Sequence, residues 1–286
     1  MVNPYTTLIS PAQLQELGTA AFVVDCSHDL AAPDAGQQAW QLAHIPGAIH
    51  LHLDRDLAGP VDGQNGRHPL PDPVRLAARL AAAGLRQHQQ VVAYDRSQGM
   101  YAARLWWLLR SLGHAAVAVL DGGWQAWQQS GGGAESTAAQ PRPAGDFQIQ
   151  PGLVGSVDAA TVLADLDQRQ LLVIDARTPQ RYAGEGETLD PVGGHIPGAV
   201  CRCFRDNLQA DGRFKPAAVL RAEWQQLLGE RPPASVVSQC GSGVTACVNL
   251  LALEQAGLTG ARLYPGSWSE WCADPSRPVA VGVNPG

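Results

Sequence analysis

The chain has 286 residues, 45% hydrophobic and 16% charged, with a net charge of −6. That length predicts about two domains, and the apolar content lets each bury a core, which excludes a disordered chain. There is no basic block, no charged-then-apolar leader at Met1-Val2-Asn3-Pro4-Tyr5, and no apolar run near the ~20 residues that span a bilayer, so a soluble, cytoplasmic protein without nucleic-acid or membrane partners is expected.

In chain order, hydrophobic periodicity predicts a helix over 11–17, a buried strand over 21–25, and a helix over 73–83 ended by Gly84. A strand over 90–94, a helix over 100–112 and a strand over 116–120 follow. Residues 131–151 are rich in Gly, Ala, Pro and Gln and hold no period, so the domains are placed at 1–134 and 153–286 with a linker over 135–152. The second half predicts a helix over 157–166, a strand over 171–175, a helix over 216–228, a strand over 235–238, a helix over 244–256 and a strand over 261–264. Such alternation argues for α/β domains, each a parallel sheet with helices on both faces, and sites in such sheets lie at the C-terminal ends of strands.

The halves echo each other. Phe22-Val23-Val24-Asp25 recurs as Leu172-Val173-Ile174-Asp175, and His44-Ile45-Pro46-Gly47-Ala48 as His195-Ile196-Pro197-Gly198-Ala199. Asp121-Gly122-Gly123-Trp124-Gln125-Ala126-Trp127 recurs as Pro265-Gly266-Ser267-Trp268-Ser269-Glu270-Trp271. The period is about 150 residues, an ordinary domain size.

Between the strand over 235–238 and the following helix stands Cys240-Gly241-Ser242-Gly243-Val244-Thr245. A cysteine there meets unpaired N–H groups and the positive end of a helix dipole, a setting that favours a reactive thiolate. The two glycines let the loop curl so that several N–H groups point at one anionic centre. In the first half the matching position is Asp95. A carboxylate offers no thiol nucleophile and is expected to be repelled from an anion cradle, so this half is read as lacking a nucleophile.

The other cysteines, Cys26, Cys201, Cys203, Cys247 and Cys272, have irregular spacing that implies no disulfide framework. Cys201 and Cys203 have no second pair at zinc spacing and read as strand-edge residues; Cys26 and Cys247 read as packed. His44 and His195 precede a motif present in both halves, including the half without a nucleophile, so they are expected to be buried and satisfied by backbone groups. Trp268 and Trp271, like Trp124 and Trp127, are expected to pack the core.

The tandem halves, the two His-Ile-Pro-Gly-Ala motifs, the Gly-Ser-Trp-Ser-Glu-Trp ending and the Cys240–Thr245 loop resemble the two-domain rhodanese-type sulfurtransferases over nearly the whole chain. The loop is similar to that of the 3-mercaptopyruvate sulfurtransferases, whereas thiosulfate-preferring members carry basic residues just after the cysteine. Here Gly241, Ser242 and Gly243 stand instead, so a direct cationic clamp on thiosulfate is expected to be missing.

The resemblance implies a persulfide on Cys240, formed from 3-mercaptopyruvate or, as the alternative, thiosulfate, and discharged to cyanide or a thiol acceptor, thioredoxin among them. No cofactor or metal is implied. Gly241, Gly243, Val244 and Thr245 would hold the anionic sulfur through N–H groups, and Arg181 would bind the donor's carboxylate. A proton relay of Ser242, His68 and Asp54 across the domain cleft is also implied. Where the family carries a second arginine, this chain has Asp190, which is not expected to help bind an anion. Arg67 reads as a solvated loop residue. Related phosphatases have an arginine six residues after the cysteine; here that residue is Ala246, so phosphoryl chemistry is not expected. A more remote alternative, a non-catalytic binding module, does not explain the intact loop.

Overall fold

The structure, a computed structural model, describes residues 3–136 and 142–286; residues 137–141 of the expected linker lie outside the described residues. The chain forms two compact units, and neither is continuous in sequence. The first comprises residues 1–59, 71–153 and 210–214, the second residues 60–70, 154–209 and 215–286.

In the first unit β1 (Leu8–Ile9), β2 (Phe22–Asp25), β3 (Ile49–His50), β4 (Val91–Tyr94) and β5 (Val117–Leu120) form one sheet in the order β1-β5-β4-β2-β3. Every pairing is parallel, with Phe22 opposite Val91 and Asp25 opposite Tyr94. The second unit repeats this with β6 (Leu172–Asp175), β7 (Val200–Cys201), β8 (Val236–Gln239) and β9 (Arg262–Leu263) in the order β7-β6-β8-β9, again all parallel. Ser156 bridges Leu263 in parallel, where β1 stands in the first unit.

The central strands are buried at every position, as parallel strands covered on both faces must be. Helices start where capping residues stop the chain from fraying. Ser10 opens Pro11–Leu17 with a reciprocal capping box to Gln13, and the Asp158 carboxylate accepts from the Thr161 N–H ahead of Ala159–Asp165. The helix Ala246–Gln255 is buried from Ala246 to Leu253, so its apolar residues surround the whole cylinder.

The repeated motifs take the structural places expected of them. His44 Nδ1 lies 2.7 Å from the Trp40 carbonyl, and His195 Nδ1 lies 2.9 Å from that of Tyr182, both rings fully buried. Facing a carbonyl, each nitrogen carries its proton and donates. Trp124 and Trp127 pack the core of the first unit, Trp268 and Trp271 that of the second.

Candidate active site

β8 ends at Gln239, so Cys240 heads the loop at the C-terminal end of a central strand, and the helix begins six residues later at Ala246. The loop is tied down by its neighbour, the Gly-Ser-Trp-Ser motif. The Cys240 N–H donates to Ser267 Oγ at 3.1 Å, the Trp268 N–H donates to the Cys240 carbonyl at 3.0 Å, and the Ser269 N–H donates to the Gly241 carbonyl at 3.0 Å. Gly243 has φ +75°, and a Cβ there would lie 2.3 Å from the Pro265 carbonyl oxygen. Both the dihedral and the close approach demand glycine. Ser267 itself holds φ +56°, a strained conformation for a residue with a side chain. Sequence reasoning missed Ser267 as the residue that fixes the cysteine backbone.

With its carbonyls used in this way, the loop has N–H groups to offer. Among the described residues, those of Gly241, Ser242, Val244 and Thr245 donate to no protein acceptor. The matching loop of the first unit is different. There the Asp95 carboxylate accepts from the N–H groups of Ser97 and Gly99 through Oδ1 at 2.7 and 2.9 Å, and from those of Tyr101 and Ala102 through Oδ2 at 2.9 Å each. The expectation that a carboxylate would be repelled from the cradle is therefore corrected: Asp95 fills it. Its side chain is long enough to reach the N–H groups of its own loop, and their partial charges attract it. Burial pushes the Asp95 carboxyl up from its ordinary range, and the four N–H bonds pull against that rise.

Around Gly241 the second unit gathers charge. A Cβ on Gly241 would fall 2.8 Å from Arg67 Nη2, and 3.4 and 3.6 Å from Arg181 Nη1 and Nη2. Arg181 pairs with Glu187 through Nε at 3.0 Å and Nη2 at 2.8 Å, and its Nη2 reaches Asp190 at 3.3 Å. Arg67 Nη1 pairs with the other oxygen of Asp190. Behind them Arg177 Nη2 donates to Asp175 at 2.6 Å and to the Gly194 carbonyl at 2.7 Å, with the guanidinium 4.8 Å over the Trp268 ring. Burial disfavours the Arg177 charge, but Asp175, Glu187 and the Cys240 sulfur together raise its pKa. Burial would likewise raise Glu187, yet the Leu189 N–H and Arg181 hold it below the usual glutamate range. Asp190 is pushed up, by burial first and then by Glu187, against the pull of Arg67 and Arg181.

Two expectations change here. Arg67 is not a solvated loop residue, because residues 60–70 fold into the second unit and its guanidinium is ion-paired. The loop residues Gly241, Ser242 and Gly243 are neutral, but guanidinium groups from two other segments stand beside them.

His68 arrives on the same segment. Its Nδ1 lies 2.7 Å from Ser242 Oγ, both residues buried, so two members of the expected relay touch. Asp54 belongs to the first unit, within the turn Leu53–Asp56, where its Oδ2 is 3.9 Å from His28 Nε2 and from His52 Nδ1. His28, His52 and Asp54 are close enough to suggest a metal centre. However, His52 Nδ1 accepts from the Asp54 N–H and its Nε2 faces the Pro33 carbonyl, which leaves that ring no lone pair for an ion. Burial pushes the thiols of Cys26, Cys203 and Cys272 up, and that of Cys201 up to about 12, which makes them poor nucleophiles. None of the six cysteines is in a disulfide. No helix among the described residues is long and apolar enough to cross a membrane.

Fold and site together define a duplicated α/β protein with one cysteine-headed N–H loop and one carboxylate-plugged copy of it. The rhodanese-like domain matches the chain twice, over residues 10–130 and 158–274, and the chain belongs to the rhodanese family. A relative from Pseudomonas aeruginosa named "Probable 3-mercaptopyruvate sulfurtransferase" is 52% identical, over 91% of this chain and 92% of its own. An Arabidopsis thaliana protein named thiosulfate/3-mercaptopyruvate sulfurtransferase 2 is 33% identical, over 85% of this chain and 76% of its own. The solved structure of 3-mercaptopyruvate sulfurtransferase from Leishmania major superposes with a TM-score of 0.84 at 29% identity, covering 94% of this chain and 75% of that one.

Proposed function

We propose that this protein is a sulfurtransferase that takes sulfur from 3-mercaptopyruvate onto Cys240 and passes it to a thiol or to cyanide. The observation that carries this reading is the setting of Cys240: it heads a loop with N–H groups to spare, beside the Arg181 guanidinium. The named relatives support the same reaction class.

The chemistry closes without an oxidant. The Cys240 thiolate attacks the donor sulfur, an S–S bond forms, and the C–S bond breaks with its electron pair going to carbon. The resulting pyruvate enolate takes up the proton that the donor thiol gives up, so pyruvate and an enzyme persulfide are the products. Ser242 and His68, in contact at 2.7 Å, carry that proton in this reading, with Asp54 as the relay's carboxylate. Loop N–H groups from Gly241, Val244 and Thr245 hold the anionic persulfide, with Gly243 shaping the turn. The acceptor thiolate, thioredoxin among the candidates, then attacks the outer sulfur and returns Cys240 as a thiolate; cyanide leaves as thiocyanate by the same step.

Thiosulfate as donor is the second reading, favoured by the guanidinium groups beside Gly241, which suit a dianion as well as a carboxylate. The reaction calls for no cofactor, and the cytoplasm is its expected compartment. Intact-mass measurement after incubation with each donor tests the proposal. A gain of one sulfur atom, lost in Cys240→Ser, is expected; no gain with either donor refutes it. The ratio of kcat/KM for the two donors then ranks them.

A further inference from the structure

We propose that Arg67 supplies the second guanidinium for the donor's carboxylate, and that Asp190 is the buried bridge that aims Arg67 and Arg181 at it. The inference rests on the reading that the donor is a thiol bearing a carboxylate. It differs from what the family resemblance implies, because the position of the expected second arginine is Asp190.

Asp190 is nearly fully buried and gives one carboxylate oxygen to each guanidinium, Oδ1 to Arg67 Nη1 and Oδ2 to Arg181 Nη2. Glu187, equally buried, takes Nε and Nη2 of Arg181 from behind. The carboxylates thus lie inside, and the two guanidinium groups, about a quarter to a third exposed, face outward. Outside these pairs stand Arg67 Nη2, with its Nε, and Arg181 Nη1, the two terminal nitrogens having no side-chain acceptor among the described residues. Both converge on the point where a Gly241 side chain would begin, at 2.8 and 3.4 Å. Two N–H-bearing nitrogens around one such point match the two oxygens of a carboxylate.

The backbone is built to hold this arrangement. Gly66 has φ +83°, and a Cβ there would sit 2.7 Å from the Gly266 carbonyl oxygen, so glycine lets segment 60–70 lie against the second unit. The next N–H, that of Arg67, donates to Ser269 Oγ at 3.0 Å. Ser269 in turn binds the Gly241 carbonyl through its own N–H, so Arg67 and the cysteine loop hang on one residue. An acidic residue at 190 therefore serves anion binding indirectly, by neutralising part of the cationic cluster and pinning both forks in place.

The test is steady-state kinetics on the full chain with two donors: 3-mercaptopyruvate, and mercaptoacetone, which has the same thiol and ketone but no carboxylate. Arg67→Ala is expected to raise KM for 3-mercaptopyruvate about 10- to 100-fold, the range for losing one charge-assisted hydrogen bond, with kcat changed less. Its kcat/KM for mercaptoacetone should change less than about threefold on the same reasoning. Asp190→Asn, a positioning variant, should show the same split at smaller size. The reversed pair, Arg67→Asp with Asp190→Arg, keeps an ion pair and a guanidinium at the site and should recover most of the KM lost in Arg67→Asp alone. Equal losses with both donors, or no change with 3-mercaptopyruvate, overturn the inference while leaving the donor reading intact. A wild-type chain that gains no sulfur from 3-mercaptopyruvate overturns the donor reading, and the inference with it.

Discussion

Gly243→Ala separates the cost of a dihedral from the cost of a collision at the active loop. Gly243 and Gly198 both have a positive φ, +75° and +83°, but different surroundings. A Cβ at 198 meets nothing within 4 Å, whereas one at 243 lies 2.3 Å from the Pro265 oxygen and 3.0 Å from that residue's carbonyl carbon and Cα. Alanine in the left-handed region costs about 1–2 kcal/mol, and this is the whole expected effect of Gly198→Ala. At 243 the loop or the Pro265 backbone must also retreat by about 1 Å to restore contact distance, adding about 1–3 kcal/mol of overpacking strain. Gly243→Ala should therefore destabilise by about 2–5 kcal/mol in urea unfolding. A shift of about 1 Å also pulls Cys240 out of register with Ser267, so sulfur loading should slow about 100-fold. Gly198→Ala should load sulfur like the wild type. Equal stability losses in the two variants, or normal sulfur loading by Gly243→Ala, would refute the reasoning.

Other perturbations probe the rest of the chain. Asp95→Ala leaves four N–H groups of the first unit, three of them buried, without their acceptor and should cost at least about 3 kcal/mol, at 1–3 kcal/mol per buried orphaned group; a loss under about 1 kcal/mol in urea unfolding contradicts the plug. Because Glu187 is held below the usual range, its contribution to stability is present above its unfolded value of about 4.3 and is lost as pH falls through the lower folded value. Unfolding free energies of wild type and Glu187→Gln should thus differ most above about pH 4.5 and draw together as pH falls further, the opposite trend counting against the ion pair. His68→Gln should lower kcat with 3-mercaptopyruvate about 100-fold while sparing persulfide formation from thiosulfate, which releases sulfite and leaves no enolate to protonate. Asp54→Asn should follow His68→Gln; an unchanged kcat removes Asp54 from the relay.

Strands buried on both sides and flanked by longer amphipathic helices were legible because their periods are local. β2, β4, β5, β6 and β8 lie within one or two residues of expectation, as does the helix Ala217–Leu228. The two-residue strands β1, β3 and β7 were not, since two residues carry no period and are recruited by the strand beside them, whereas β9, equally short, lies within the strand expected over 261–264. The helix Ala35–Leu42, rich in glutamine and burying only Gly36, was missed.

By itself the sequence determined the duplication, the parallel α/β halves and the glycine-bounded cysteine loop, because each is written in neighbouring residues whose conformations are set locally. Ser242 beside His68 came only through resemblance. Tertiary structure decided the rest of the site. It folded residues 60–70 into the second unit, which brought Arg67 and His68 to a loop more than 170 positions along the chain. It also turned Asp190 from an apparent obstacle into a shared partner of two arginines, and Asp95 from a repelled carboxylate into a plug. The effect of a charge depends on which groups surround it, and at these positions the surroundings come from segments that chain order keeps far apart.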